Sequence, residues 1–348
     1  STHTPQTAIP LRLVGSEMCI RDRVTGAAGF IGMHTANALL KKGEVVIGID
    51  NINDYYDPEL KKARVEKLQV NKHFYFEKLD FAEQGALDFL DKKYPEIDRI
   101  IHLGAQAGVR YSIDNPNQYL QSNLCGQLAI LEFCKSKMAT PCPLINFIYA
   151  SSSSVYGSNK KIPFSINDNT DQPVSFYGAT KKAGEVMAHS YAHLYQTPTV
   201  GLRFFTVYGP WGRPDMSPYI FTKSILDEKP IKVFNKGKMM RDFTFIDDIV
   251  SGILSALDTP PIGLNEIPPY KIYNLGNNKP VSLMNYINVI ERACNKKAII
   301  DLQPMQAGDV VQTYANIEES ERDLGYAPTT SIDIGIPQFV DWFISYHS

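Results

Sequence analysis

An α/β fold, a doubly wound parallel sheet followed by a smaller C-terminal α/β unit, is predicted by three observations. A glycine-rich turn, Gly26-Ala27-Ala28-Gly29-Phe30-Ile31-Gly32, leads directly into a helix-like run. An apolar strand ending in the carboxylate of Asp50 comes next. Short apolar strands then alternate with helical stretches as far as Ala150, the pattern of a parallel sheet covered on both faces. The 348 residues are 44% hydrophobic and 21% charged, which excludes fibrous, collagen-like and fully disordered chains.

The first element is the irregular one. A strand leading into the glycine turn should be a buried, near-continuous apolar run. The residues before Val24 are instead Glu17-Met18-Cys19-Ile20-Arg21-Asp22-Arg23. Residues 14–23 resemble translated sequencing-adapter sequence, and the chain opens on Ser1 rather than Met. Residues 1–23 are therefore read as a non-native segment that replaces most of the first strand, with exposed strand edges and lowered stability as the expected result.

The turn that follows has the spacing GxxGxxG, and on its own could be an ordinary tight turn. Met33 to Leu40 read as a helix closed by Lys41-Lys42-Gly43, and Val45-Val46-Ile47-Gly48-Ile49-Asp50 as a strand. An acid about 20 residues beyond a glycine loop is the dinucleotide fingerprint of a Rossmann fold. Glycines let the backbone approach a pyrophosphate at the positive end of the helix, and the carboxylate accepts bonds from the adenosine ribose. It also repels a 2'-phosphate, which favours NAD over NADP. Further strands are expected at 74–79, 99–103 and 144–150, with a helix over 123–135.

Reactive residues follow the last of these strands. Ser151-Ser152-Ser153-Ser154-Val155-Tyr156-Gly157 opens a loop, and Tyr177-Gly178-Ala179-Thr180-Lys181 enters an apolar helix. Tyr177 and Lys181, four apart, share a helix face. An ammonium beside a phenol favours the phenolate, a competent general base for an alcohol proton, and a serine hydroxyl can align the same oxygen. YxxxK alone is most often a solvated helix face; its place after the glycine loop, the acid and the serine run argues for chemistry.

Composition bounds the partners. Lys plus Arg number 35 against 37 Asp plus Glu, a net charge of -2, so no general field draws nucleic acid or an anionic membrane. No stretch approaches the roughly 20 apolar residues of a membrane helix. Five scattered cysteines without a CxxC pair suggest reduced thiols, no metal site and a cytoplasmic location.

Taken together, these motifs resemble the extended short-chain dehydrogenase/reductases of the nucleotide-sugar epimerase group, most closely the bacterial UDP-glucuronate 4-epimerases. The resemblance runs from Val24 nearly to the C-terminus. It is carried by the glycine turn, Asp50-Asn51-Ile52-Asn53-Asp54-Tyr55-Tyr56-Asp57, His102 to Ser112, the serine run, Tyr177 to Lys181, Arg203 to Pro210, Arg213 to Met216, Arg241 to Asp248 and Gly308-Asp309-Val310. It implies that Gly26, Gly29, Phe30, Ile31, Asp50, Asn51, Asp80, Phe81, Leu103, Ala105 and Asn123 contact NAD, together with Tyr177 and Lys181. Tyr177 is implied as the base, Lys181 as its partner, and Ser152 as the catalytic hydroxyl with Ser153 in reserve. The expected reaction is oxidation of a UDP-sugar at C4 and hydride return to the opposite face, most simply UDP-glucuronate to UDP-galacturonate.

By the same resemblance, residues 24–205, with part of 243–260, form the NAD-binding domain and 206–348 mainly the nucleotide-sugar domain. Ser152, Ser153, Thr206, Arg213, Val233, Arg241 and Asp309 are implied as substrate contacts. Arg241 would clasp the pyrophosphate, and the strand around Val233 would read uracil through its backbone. Thr206 and Arg213 favour an acid sugar, while Trp211-Gly212 departs from the more polar pair expected there. Arg110 could serve the sugar or a structural tie beneath the nicotinamide. A homodimer through a four-helix contact is implied as well. The alternatives are a UDP-glucose or UDP-N-acetylglucosamine 4-epimerase, or a silent NAD-binding protein. A 4,6-dehydratase would need an acid and a base where Ser153-Ser154 stand, and a decarboxylase a glutamate absent from the same loop.

Overall fold

The computed structural model describes residues 21–305 and 311–348. Its centre is a parallel seven-stranded sheet in the order β3-β2-β1-β4-β5-β6-β11. The strands are β1 (Arg21–Thr25), β2 (Val45–Asp50), β3 (Phe74–Lys78), β4 (Ile97–His102), β5 (Asn146–Ser152), β6 (Thr199–Phe204) and β11 (Tyr270–Leu275). The doubly wound α/β architecture expected from the sequence is present. Strand order reverses between β1 and β4, and such a switch leaves a crevice at the C-terminal strand ends where ligands of this architecture bind.

The expectation that Arg21-Asp22-Arg23 displace the first strand is overturned. Arg21 pairs with Val45 of β2 and Ile97 of β4, and the ladder continues through Thr25, which pairs with Ile49 and His102. A parallel ladder is made by main-chain N–H and C=O groups, so side-chain polarity does not forbid the pairing. Its cost falls on the side chains, because Asp22 and Arg23 are both fully buried. Asp22 Oδ1 meets Arg99 Nε at 2.7 Å. The Arg23 guanidinium lies 4.1 Å from the Phe133 ring centroid, with no hydrogen-bond partner for its three nitrogens. Residues 1–20 lie outside the described residues.

Helices cover both faces. On one side α1 (Phe30–Lys41), α2 (Pro58–Gln69) and α9 (Ile246–Asp258) bury Met33, Ala36, Leu39, Leu68, Ile249 and Ile253. On the other, α3 (Ala86–Lys93), α6 (Gly126–Met138) and α7 (Phe176–Tyr195) pack Leu90, Ile130, Leu131 and Ala188 against Ile47, Ile100 and Phe147. Two single turns, α4 (Tyr111–Asp114) and α5 (Pro116–Tyr119), lead through a π-helical stretch, Leu120–Cys125, into α6. The helix expected over 123–135 is present, its first three residues forming the end of the π-helical stretch that runs directly into α6. Ser175 caps α7 by accepting a bond from the Gly178 amide at 3.0 Å, which fixes where Tyr177 enters the helix.

Smaller strand pairs build the rest: β7 (Thr206–Tyr208) with β10 (Phe243–Phe245), β8 (Pro230–Val233) with β13 (Ile299–Leu302), and β9 (Met240–Arg241) with β12 (Val281–Ser282). Helices α8 (Ser217–Leu226), α10 (Leu283–Cys294) and α12 (Ile332–His347) surround them, and α11 (Glu318–Leu324) packs near β11. The chain thus leaves the large sheet after β6 and returns to its edge as β11.

Candidate active site

The glycine turn is built by close packing. Gly26 has φ +72°, and a Cβ there would stand 2.7 Å from the Gly104 nitrogen. A Cβ on Gly29 would come within 2.9 Å of the Gly26 carbonyl oxygen, and one on Gly32 within 2.0 Å of it. The bare backbone therefore forms a cradle at the start of α1 that side chains would fill, the shape and dipole a pyrophosphate requires. At the end of β2, Asp50 is buried and accepts bonds from the Ala28 amide (3.2 Å) and the Ile52 amide (2.8 Å). Burial pushes its carboxyl up, opposed first by the Lys61 ammonium. Asn51 donates to Asp80 (2.9 Å), whose other oxygen accepts from the Ala82 amide at 2.8 Å.

From this cradle a cavity of about 380 Å³ runs along the strand ends. Gly26, Gly29, Phe30, Ile31, Asp50, Asn51, Phe81, Leu103 and Ala105 line one end; Ser152, Ser153, Tyr177, Lys181, Thr206 and Arg213 line the other. Asp80 is outside the lining and acts on Asn51. Asn123 is outside it too: it accepts from the Gln106 amide (2.8 Å) and donates to the Gln106 carbonyl (3.0 Å) and the Thr180 hydroxyl (3.1 Å), bracing the loop after β4 against α7.

Strand β5 runs two residues further than expected, so Ser151 and Ser152 end it rather than opening a loop. Ser152 Oγ accepts from the Ser154 amide at 3.1 Å. Beside it, burial raises the Tyr177 phenol, while the Ser152 hydroxyl bonded to it and then the Arg213 charge pull it back down. Lys181 donates to the Ala150 carbonyl at 2.8 Å, its nitrogen 6.0 Å from the Tyr177 ring centroid. Burial lowers its ammonium to about 8. The charge that eases Tyr177 toward the phenolate is that of Arg213, which spacing alone did not suggest, rather than the Lys181 ammonium expected from the four-residue step.

Arg213 makes a two-pronged ion pair with Asp215, Nε to Oδ1 at 3.0 Å and Nη2 to Oδ2 at 2.5 Å, and Tyr55 donates its hydroxyl to Asp215 at 3.0 Å. The ion pair holds Arg213 fully charged and keeps Asp215 low. Thr206, on β7, is held by its amide, which donates to the Asp242 carbonyl at 3.2 Å. The Arg110 guanidinium lies 5.0 Å from the Phe234 ring centroid, linking the loop after β4 to the smaller part. Val233 is fully buried and Arg241 donates to the carbonyls of Met240 and Val311; neither lines the cavity. Asp309 lies outside the described residues.

Sequence reasoning passed over Asn53, Tyr55, Lys61, Arg64 and Asp215. Lys61 lines the cavity and donates to Asn53, and Arg64 is fully buried beneath it. In sequence both sit in Lys61-Lys62-Ala63-Arg64, a run that looks like a solvated helix face. Their spacing of three, which puts both on one side of α2, was the available signal.

Among the described residues no group of acidic, histidine and cysteine side chains is arranged to hold a metal, and no helix is long and apolar enough to cross a membrane. The chain is 47% identical to Protein CapI of Staphylococcus aureus, over 93% of this chain and 98% of that one. It is 49% identical to UDP-glucuronate 4-epimerase 4 of Arabidopsis thaliana, over 93% of this chain and 75% of that one. Among solved structures, UDP-glucuronic acid 4-epimerase from Bacillus cereus, in complex with UDP-glucuronic acid and NAD, superposes with a TM-score of 0.85 at 34% identity, covering 94% of this chain and all of that one. The model of the NAD dependent epimerase/dehydratase family matches residues 23–276, from the strand under the glycine cradle to the end of the large sheet, and the chain belongs to that family.

Proposed function

We propose that the chain interconverts UDP-glucuronate and UDP-galacturonate by epimerisation at C4, with NAD as a retained cofactor. The observation that carries the reading is the convergence of Ser152, Tyr177, Lys181 and Arg213 on one cavity whose far end is the glycine cradle. The names of the similar epimerases and the ligands of the Bacillus cereus structure support the substrate and the cofactor.

NAD, when bound, supplies the acceptor for the sugar's C4 hydride and the donor that returns it. The cradle, Asp50 and Asn51 hold it at one end, and Lys181 at the other. Tyr177 takes the C4 hydroxyl proton through its phenolic oxygen and gives it back, with the Ser152 hydroxyl aligning the same oxygen. Between the two steps the 4-keto sugar turns over in the cavity. Arg213 receives the sugar carboxylate with Thr206 beside it, a role suited to a permanently charged planar fork. Ser153 lies next to the reacting end, and Arg241, the backbone at Val233 and Asp309 serve the nucleotide.

A homodimer fits the outward apolar side chains Leu128 on α6 and Val186 and Leu194 on α7, each exposed. A cytoplasmic location fits the free thiols Cys125, Cys134, Cys142 and Cys294. The test is to incubate the purified protein with UDP-glucuronate and NAD and resolve UDP-galacturonate chromatographically, with Tyr177→Phe as control. Tyr177→Phe should lower kcat by about 10²–10⁴. Turnover of UDP-glucose with none of UDP-glucuronate would overturn the substrate assignment, and full activity of the Phe variant the base.

A further inference from the structure

Three consecutive carbonyls precede Arg213, and each is held by a side chain of the large sheet's own helices. His34 Nε2, on α1, lies 2.9 Å from the Pro210 oxygen. Burial drops the His34 pKa to about 4, so the ring is neutral and donates its Nε2 proton. Arg64, on α2, donates Nη2 to the Trp211 oxygen at 2.6 Å and to the Gly212 oxygen at 3.3 Å. The same guanidinium donates Nη1 to the Ala28 oxygen at 3.0 Å, inside the glycine cradle, and to the Tyr56 hydroxyl at 2.6 Å.

The gripped segment needs the grip. Trp211 has φ +63°, a left-handed backbone that a bulky side chain adopts only when its surroundings over-determine it. Its ring is wedged against Trp342 and Tyr346, centroids 5.5 and 5.4 Å away. Arg64 is fully buried, and its planar fork reaches carbonyls of two loops far apart in sequence, which a point charge such as an ammonium would not match.

We propose that Arg64 is a positioning residue for substrate selectivity: by tying the Trp211 and Gly212 carbonyls to Ala28 of the glycine cradle, it sets the backbone from which Arg213 reaches the sugar carboxylate. This rests on Arg213 meeting that carboxylate. It follows that selectivity for an acid sugar is written in part on a helix that never touches the sugar, and that the cofactor cradle and the carboxylate arginine are one mechanical unit.

The test is a double-mutant cycle on the NAD-loaded protein with Arg64→Lys, Arg213→Met and the pair, scored by KM and kcat for UDP-glucuronate and by Kd for UDP-glucose, which lacks the carboxylate. Melting temperature and bound NAD per chain are measured alongside. Arg64→Lys should raise KM about tenfold, keep kcat within about threefold and leave the UDP-glucose Kd within about threefold. Added to Arg213→Met it should raise KM no further. Arg64→Gln is the second variant, and whichever of the two retains NAD and a cooperative melt carries the result. If Arg213→Met raises KM and the Arg64 change does not, or if the two effects multiply, the positioning role is overturned while the carboxylate reading stands. If Arg213→Met itself leaves KM unchanged, the carboxylate reading falls and this proposal with it.

Discussion

Replacing Arg23 by methionine probes the central strand at its most costly point. Burial pulls the Arg23 guanidinium from its ordinary range down to about 10. With about 1.36 kcal/mol for each tenfold change in proton affinity, the charged form is roughly 3 kcal/mol less favourable there than in water. Stacking on Phe133 offsets about 1–2 kcal/mol of this. Methionine has a similar reach, adapts to irregular space and carries no donors to leave unbonded. The variant should be more stable by about 2 kcal/mol. An unfolding entropy of about 2.1 cal/mol/K per residue, over 348 residues, makes that a rise of roughly 3 °C in Tm. Scanning calorimetry at the same saturating NAD for both proteins keeps cofactor-linked stabilisation equal. A Tm equal to or below that of the parent chain would refute the view that Arg23 is an uncompensated buried charge.

Three further outcomes are expected. Burial pushes the Asp22 carboxyl up to about 7 against the pull of Arg99, so the stability it contributes is fully present below pH 4 and lost as pH rises through about 7; urea titrations at pH 5 and pH 8 should show the parent losing about 2–4 kcal/mol more than Asp22→Asn, and a pH-independent difference would contradict this. Gly32→Ala drives a methyl into the Gly26 carbonyl, so NAD released on denaturation should fall at least about tenfold per chain, with about 1–3 kcal/mol of destabilisation; normal NAD content would show the cradle is not where it binds. Glu185 accepts from Ser151 at 2.6 Å and twice from Arg203 at 2.8 Å, all buried, so Glu185→Gln should cost about 3–5 kcal/mol in the urea midpoint analysis, and a loss below about 1 kcal/mol would show the network is replaceable.

The fold was legible in the sequence wherever the information is local. The glycine turn, the apolar run to Asp50 and the four-residue step from Tyr177 to Lys181 each encode their geometry within one turn of chain. The first strand was misread because apolar patterning reports what side chains want, whereas the ladder through Arg21 to Thr25 is made by the main chain, supported by flanking strands that are strongly apolar. The ties at Arg64 and His34 were illegible for a different reason: their partners lie 147 and 176 residues away, and the three-residue step from Lys61 to Arg64 marks a shared helix side without saying what that side meets. Asp215 stands only two residues from Arg213, yet its role depends on Tyr55 arriving from 160 residues upstream.

The return of the chain as β11 bears on synthesis at the ribosome. When residue 205 emerges, β6 has a partner on one side only, and the strand that covers its other edge, Tyr270–Leu275, is still about 65 residues from being made. At roughly 5–20 residues per second, that edge stays bare for some seconds, during which the nascent sheet is open to mispairing with neighbouring chains. The segment threaded between these two strands, residues 205–269, must be synthesised before the large sheet can close, and the rest of the smaller part, from Val281 onward, is made only after that edge is covered.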